Sequence, residues 1–168
     1  MTRRGRVILS LLALGSSAAI AAPFLGSEGT VPQLEQKFLD SPFCKQYGCV
    51  KGAQVGNFST FRLSSKLEVW MEHCCLAAII TLRVVLVPPR PLTAAEVATL
   101  RDLTNLATAE PLALTYDIAR NCSSVAAIRM SKKLEFSQKS PNNWITWVGC
   151  FEDKSAPSRY FFQATLPG

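Results

Sequence analysis

The longest regular alternation of apolar and polar positions lies in the middle of the chain. From Leu76 onward the even positions are Leu76, Ala78, Ile80, Leu82, Val84 and Leu86, while Thr81 and Arg83 fall on the odd positions. Period-two alternation of this length predicts a strand with one face in a core. Just before it, Leu67, Val69 and Met71 alternate with Lys66, Glu68 and Glu72, so a second strand is predicted, meeting the first at Cys74-Cys75. The run from Leu76 to Val87 is 12 residues long, contains Arg83 and is closed by Pro88-Pro89. A membrane-spanning helix needs ~20 apolar residues, so this run reads as a buried strand.

The remaining elements follow from the same patterns. Residues 58–63 form a strand, and Ser64-Ser65 turns it into the next one. Upstream, Thr30 with Gln33 three residues on makes a capping box, and Val31, Leu34 and Phe38 share one helical face, with Pro42 ending the helix. A second capping box, Thr93 with Glu96, opens a helix over 94–108 whose buried face is Val97, Leu100, Leu103 and Ala107. Residues 111–122 fit two patterns. Leu112, Leu114, Tyr116 and Ile118 alternate like a strand, but Thr115 and Asp117 suit a helix start, and the helix is favoured. Three strands end the chain, over 129–137, 144–151 and 160–166. The expected order is α-β-β-β-α-α-β-β-β. It corresponds to an α+β fold with a mostly antiparallel sheet and two or three helices on one face. A single disulfide-braced domain is expected over 30–168, preceded by a flexible segment over 22–29.

The first 21 residues change the picture of charge and location. Arg3, Arg4 and Arg6 precede the apolar run Val7 to Leu14, and Ala19-Ile20-Ala21 fits the small-x-small rule of a signal peptide cleaved near Ala22. The rival is an uncleaved N-terminal anchor, the one route by which this chain would touch a membrane. Either way the protein is expected to be secreted or periplasmic. Of the formal charge of +6, three arginines belong to this segment, which leaves +3 on the other 147 residues. That is weak support for a nucleic-acid partner, and none is expected.

All six cysteines, Cys44, Cys49, Cys74, Cys75, Cys122 and Cys150, follow the export segment, which predicts three disulfides. Cys44 and Cys49 are placed for a local bridge around Gly48. Cys74 and Cys75, read as neighbours on one strand, point to opposite faces, so unless they close a rare, strained vicinal ring each is expected to bond separately to Cys122 or Cys150. A metal site fits poorly. There is no C-x-x-C, and His73 is the only histidine. His73-Cys74-Cys75 has ligand types suited to Cu(I), but three successive residues on an extended chain cannot converge on one ion. No metal or cofactor is expected.

The inventory for catalysis is thin. One histidine beside two cysteines suits no triad, and the chain has no G-x-S-x-G, H-E-x-x-H or phosphate-binding glycine loop. Glu68 and Glu72 flank Trp70 on one strand face, about 13 Å apart at ~3.3 Å per residue, too far for paired carboxylate work. Arg129, Lys132, Lys133 and Lys139 read as guards against edge-to-edge pairing. No catalytic residue is assigned. The favoured reading is a non-enzymatic binding or structural module. The alternative is a small secreted hydrolase or thiol-redox enzyme. In the aromatic C-terminal strands neither parity is polar: Trp144, Val148 and Cys150 oppose Ile145, Trp147 and Phe151, and Tyr160 and Phe162 oppose Phe161. Trp147 and Phe161 are therefore the expected partner surface, for a protein or envelope partner or for a second copy. Intact mass of the exported protein is expected to correspond to a start near Ala22. A soluble pool retaining Met1 would overturn the signal-peptide reading.

Overall fold

The computed structural model describes residues 22–86, 91–109, 115–130, 134–136, 146–156 and 159–166. The segment 1–21 and Trp144 and Ile145, expected to begin a strand, lie outside them. Twelve helices and strands follow in order: α1 (Val31–Leu39), α2 (Pro42–Tyr47), β1 (Val50–Lys51), β2 (Phe58–Arg62), β3 (Glu68–Cys74), β4 (Ala78–Leu86), α3 (Ala94–Thr108), α4 (Thr115–Asn121), α5 (Val125–Met130), β5 (Leu134–Phe136), β6 (Thr146–Glu152) and β7 (Tyr160–Thr165). The strands make one sheet in the order β1-β2-β3-β4-β7-β6-β5, with antiparallel neighbours throughout. The α+β architecture is as expected, but five helices are described rather than two or three.

Two of the extra helices follow from local chemistry that hydrophobic periodicity does not register. Pro42, expected to end the first helix, instead opens α2. It occupies the first turn, where its missing N–H costs nothing, and the Ser41 hydroxyl accepts from the Cys44 amide at 3.2 Å. Gly48, at φ 63°, closes α2 in the left-handed conformation. Similarly, Arg129 and Met130, expected in a strand over 129–137, are the end of α5. There the Ser124 hydroxyl accepts from the Ala127 amide at 3.1 Å and Ile128 is buried. Of the described residues in that stretch, Leu134–Phe136 are extended. Lys132, Lys133 and Lys139 lie outside the described residues, and Arg129 is paired with Glu152 at 2.9 Å. Residues 115–121 are helical, as favoured.

A β-bulge corrects the expected strand face. Glu72 pairs with Thr81 but His73 with Ile79, so Ile80 is the extra residue on β4. Leu82, Val84 and Leu86 face the core as read, but beyond the bulge the parity flips and Ile79, not Ile80, is fully buried. All five helices contribute to the core on this face. Leu34 and Phe38 of α1, Phe43 of α2, Leu100 and Leu103 of α3, Ile118 of α4 and Ile128 of α5 join Phe61, Val69, Met71, Leu82, Val84, Val148 and Phe162 of the strands.

The segment 22–29, expected to be flexible, is held in place. Phe24 and Leu25 are buried, and their amides donate to the carbonyls of Leu106 and Ala107 at 3.1 Å each. The Gly26 amide donates to Ile79 at 2.8 Å, and Glu28 bridges to Ala78. Two apolar side chains with core space available outweigh the small polar residues around them.

The disulfides differ from the expected set. Cys44–Cys49 forms, with Cα atoms 4.8 Å apart. Cys122, however, is bonded to Cys150, and Cys74 and Cys75 are both free thiols. The expected pairing assumed that 74 and 75 both belong to a strand. In fact β3 ends at Cys74 and a 3-10 turn, Cys75–Ala77, begins at once, so the opposed directions of strand neighbours do not apply. The Cys122–Cys150 bridge joins the end of α4 to β6 across 28 residues of sequence. In the chain-entropy model, replacing both by Ser is expected to lower stability by about 3–4 kcal/mol, against about 2 kcal/mol for the Cys44–Cys49 pair. Urea unfolding checks the order, and non-reduced peptide mapping checks the pairing. A bond from Cys122 or Cys150 to Cys74 or Cys75 would contradict the topology described.

Candidate functional site

Three inward-facing polar residues meet where α1 crosses β2 and β3. Glu35 sits in the apolar stripe of α1, one residue from Leu34 and three from Phe38. Ser59 shares the core parity of β2 with Phe61, and His73 that of β3 with Val69 and Met71. All three are buried. The Ser59 hydroxyl donates to Glu35 Oε1 at 2.7 Å and lies 2.9 Å from His73 Nε2. Lys51, from the edge strand β1, donates to Glu35 Oε2 at 2.6 Å.

The proton count decides what this array can do. Burial alone pushes the Glu35 carboxyl up, but the hydrogen bonds from Lys51 and Ser59, with the Lys51 charge, outweigh it and leave its pKa below the ordinary value. Glu35 is thus an acceptor only, and the single Ser59 proton is committed to it. His73 Nε2 must then carry a hydrogen and donate to Ser59 Oγ. Burial holds the His73 pKa below its ordinary value, against the opposing pull of Glu35, so the ring is neutral and Nδ1 is a lone pair, with no partner for it among the described residues. Every donor points towards the carboxylate. A serine nucleophile needs the reverse, with histidine accepting the hydroxyl proton. The array is a compensated buried charge that ties α1 and β1 to the sheet.

Among the described residues no helix packs on the other face of the sheet, and this helix-free face carries the second polar-aromatic cluster. Strand register brings Phe58, Glu72, Trp70, Arg83, Gln163, Phe161 and Phe151 to it. The Arg83 guanidinium lies 4.8 Å from the ring centre of Phe58, 5.5 Å from Phe151 and 5.6 Å from Phe161. Its Nε donates to Gln163 at 2.7 Å, and Glu72 is 3.6 Å away. Trp70 packs on Phe58 and Phe161 at 5.5 and 5.4 Å, under the Arg159 guanidinium at 5.3 Å, and its buried Nε1–H has no acceptor among the described residues.

Of the two residues expected to form a partner surface, Phe161 is 1% exposed, enclosed by Trp70, Phe151 and Arg83. It is the floor of the cluster and not an exposed anchor. Trp147 pairs through its backbone with Glu135 and Thr165. Its side chain lies outside the described residues. Glu68 and Glu72 are half-buried on this face. Among the described residues no group of three or more His, Cys, Asp or Glu side chains is placed to hold a metal ion. Sequence reasoning passed over Glu35, although an acid inside an apolar helical stripe signals a buried partner.

The array makes stability fall on acidification. Between its folded and unfolded pKa values His73 binds fewer protons in the folded chain, so acidification below its ordinary 6.5 favours unfolding. Glu35, whose folded pKa is also depressed, adds a second loss below its ordinary 4.5. In His73→Gln the first decline is expected to vanish and the second to persist, as read from urea midpoints against pH. Ser59→Ala, which removes a donor from a buried carboxylate, is expected to cost about 1–3 kcal/mol.

Compared with known proteins, the chain matches no family model, no curated protein and no solved structure.

Proposed function

We propose that this is an exported binding module whose working surface is the helix-free face of its sheet, and that its partner is another protein. The observation carrying this reading is the composition and state of that face. Aromatic rings and arginine are the residues enriched at the cores of protein interfaces, and here Phe58, Trp70 and Phe151 lie around Arg83 with no helix of the described residues packed over them. The unpaired Trp70 Nε1–H adds to it. A buried donor without an acceptor costs about 1–3 kcal/mol, which a partner's carbonyl could recover after a small shift of the neighbouring rings. The Arg-rich start, the small-x-small site before Ala22 and the two disulfides support export. The donor order at Glu35, Ser59 and His73 supports a binding role over nucleophilic catalysis.

Site-specific photocrosslinking in the native compartment tests the surface. A photoreactive residue at Phe58 or Arg62 is expected to capture a discrete protein, while the same residue at Gln36 or Arg120, exposed on the helical side, captures none. Phe58→Ser is expected to weaken capture from Arg62 by about tenfold or more while the chain stays folded. Capture from the helical side alone, or only of a second copy of this chain, would overturn the proposal.

A further inference from the structure

The two thiols that the fold leaves over are neighbours in space as well as in sequence. Four of the six cysteines are in disulfides, and the remaining pair, Cys74 and Cys75, have their sulfurs 2.7 Å apart without a bond. The backbone produces this convergence. Cys74 is the last extended residue of β3, at φ −125° and ψ −176°, and Cys75 starts the 3-10 turn that ends at Ala77, itself at φ 51°. The change from extended to helical geometry between them swings both side chains to one side. Their accessibilities differ: Cys75 is exposed and Cys74 half-buried.

We propose that Cys74 and Cys75 form a reversible dithiol–disulfide site that exchanges with small-molecule disulfides of the glutathione type. In the first step the Cys75 thiolate attacks one sulfur of the incoming disulfide. A Cys75–S–S–R bond forms, the R–S–S–R bond breaks, and the leaving thiolate takes up the proton that Cys75 lost. In the second step Cys74 gives up its proton, attacks Cys75 Sγ and displaces the second R–SH. Two protein thiols are oxidised, one disulfide is reduced to two thiols, and no other oxidant is needed. Cys75 is the attacking group because it is the exposed one. The hydrogen bond with Cys75 holds the Cys74 thiol above its ordinary pKa, aided by the Glu72 charge, which suits it to the resolving role.

Reversibility follows from adjacency. Consecutive Cα atoms are ~3.8 Å apart, below the ~4.4–6.8 Å usual across a disulfide, so the closed ring is strained and easier to reduce than an ordinary bridge. Cys44–Cys49 and Cys122–Cys150, with Cα separations of 4.8 and 5.6 Å, lie inside that range. The site is independent of what the sheet face binds.

The test uses the full exported chain, equilibrated in glutathione buffers of graded ratio, quenched with N-ethylmaleimide and peptide-mapped. At ratios that leave the other two bridges intact, reduced buffer is expected to give adducts on both Cys74 and Cys75. Oxidised buffer should give neither adduct, a mass lower by two hydrogens and no bound glutathione. Cys74→Ser should trap one glutathione on Cys75. Cys75→Ser should react about tenfold more slowly, the remaining thiol being half-buried. Glutathione retained on Cys75 of the unaltered chain, a dimer linked through Cys75, or thiols inert to glutathione disulfide would each overturn the proposal.

Discussion

A sheet covered by helices on one side only must keep its other side from being an open apolar surface, and here Arg83 meets that constraint. Its guanidinium lies against three rings, bonds Gln163 and approaches Glu72, so strand residues cover the centre of the face on which no described helix packs. A cation on aromatic faces contributes about 0.5–2 kcal/mol, more as water is excluded. The five helices are therefore free to pack on the same side, and the core they build there leaves out Trp70 and Phe161. The rings beneath Arg83 form a separate layer.

The buried array answers a similar demand from the opposite side. An ionised carboxylate within a helical stripe is costly unless it is paired and hydrogen-bonded. Glu35 is both, through Lys51 and Ser59, and the same bonds fix where α1 lies across β2. His73 completes the set at the cost of an unpartnered Nδ1. Its place directly before the thiol pair ties the sheet's buried polar residues to its one exposed sulfur site.

How much of this was legible in the sequence varied with the kind of signal. Alternation identified β2, β3 and β4, and capping boxes at Thr30 and Thr93 marked α1 and α3, because each signal is local and repeated. The antiparallel sheet was legible for the same reason. Short elements were not. Pro42 reads equally as the end of one helix or the first turn of another, and only the Ser41 cap distinguishes them. Ile79 and Ile80 cannot be ranked by parity when one extra residue at a bulge reverses it. The same limit governed the cysteines, since treating 74 and 75 as strand neighbours depended on a boundary that falls between them. Phe161 was chosen as an exposed anchor from its strand parity, which does not reveal that Trp70 and Phe151 enclose it.

The strap formed by Phe24 to Glu28 has a consequence for the order of assembly. Its acceptors and neighbours belong to β4, the end of α3 and the end of β7: Ile79, Leu106, Ala107 and Leu166. These lie roughly 50 to 140 residues further along the chain, and closing loops of that size costs entropy that only finished partners can offset. Residues 24–28 thus have nowhere to dock until β4 and α3 are in place. Phe24 and Leu25 act as a late plug on an otherwise complete core, held at its rim by a few backbone bonds, so the margin of the fold most open to local fraying is also the one that shields its apolar interior.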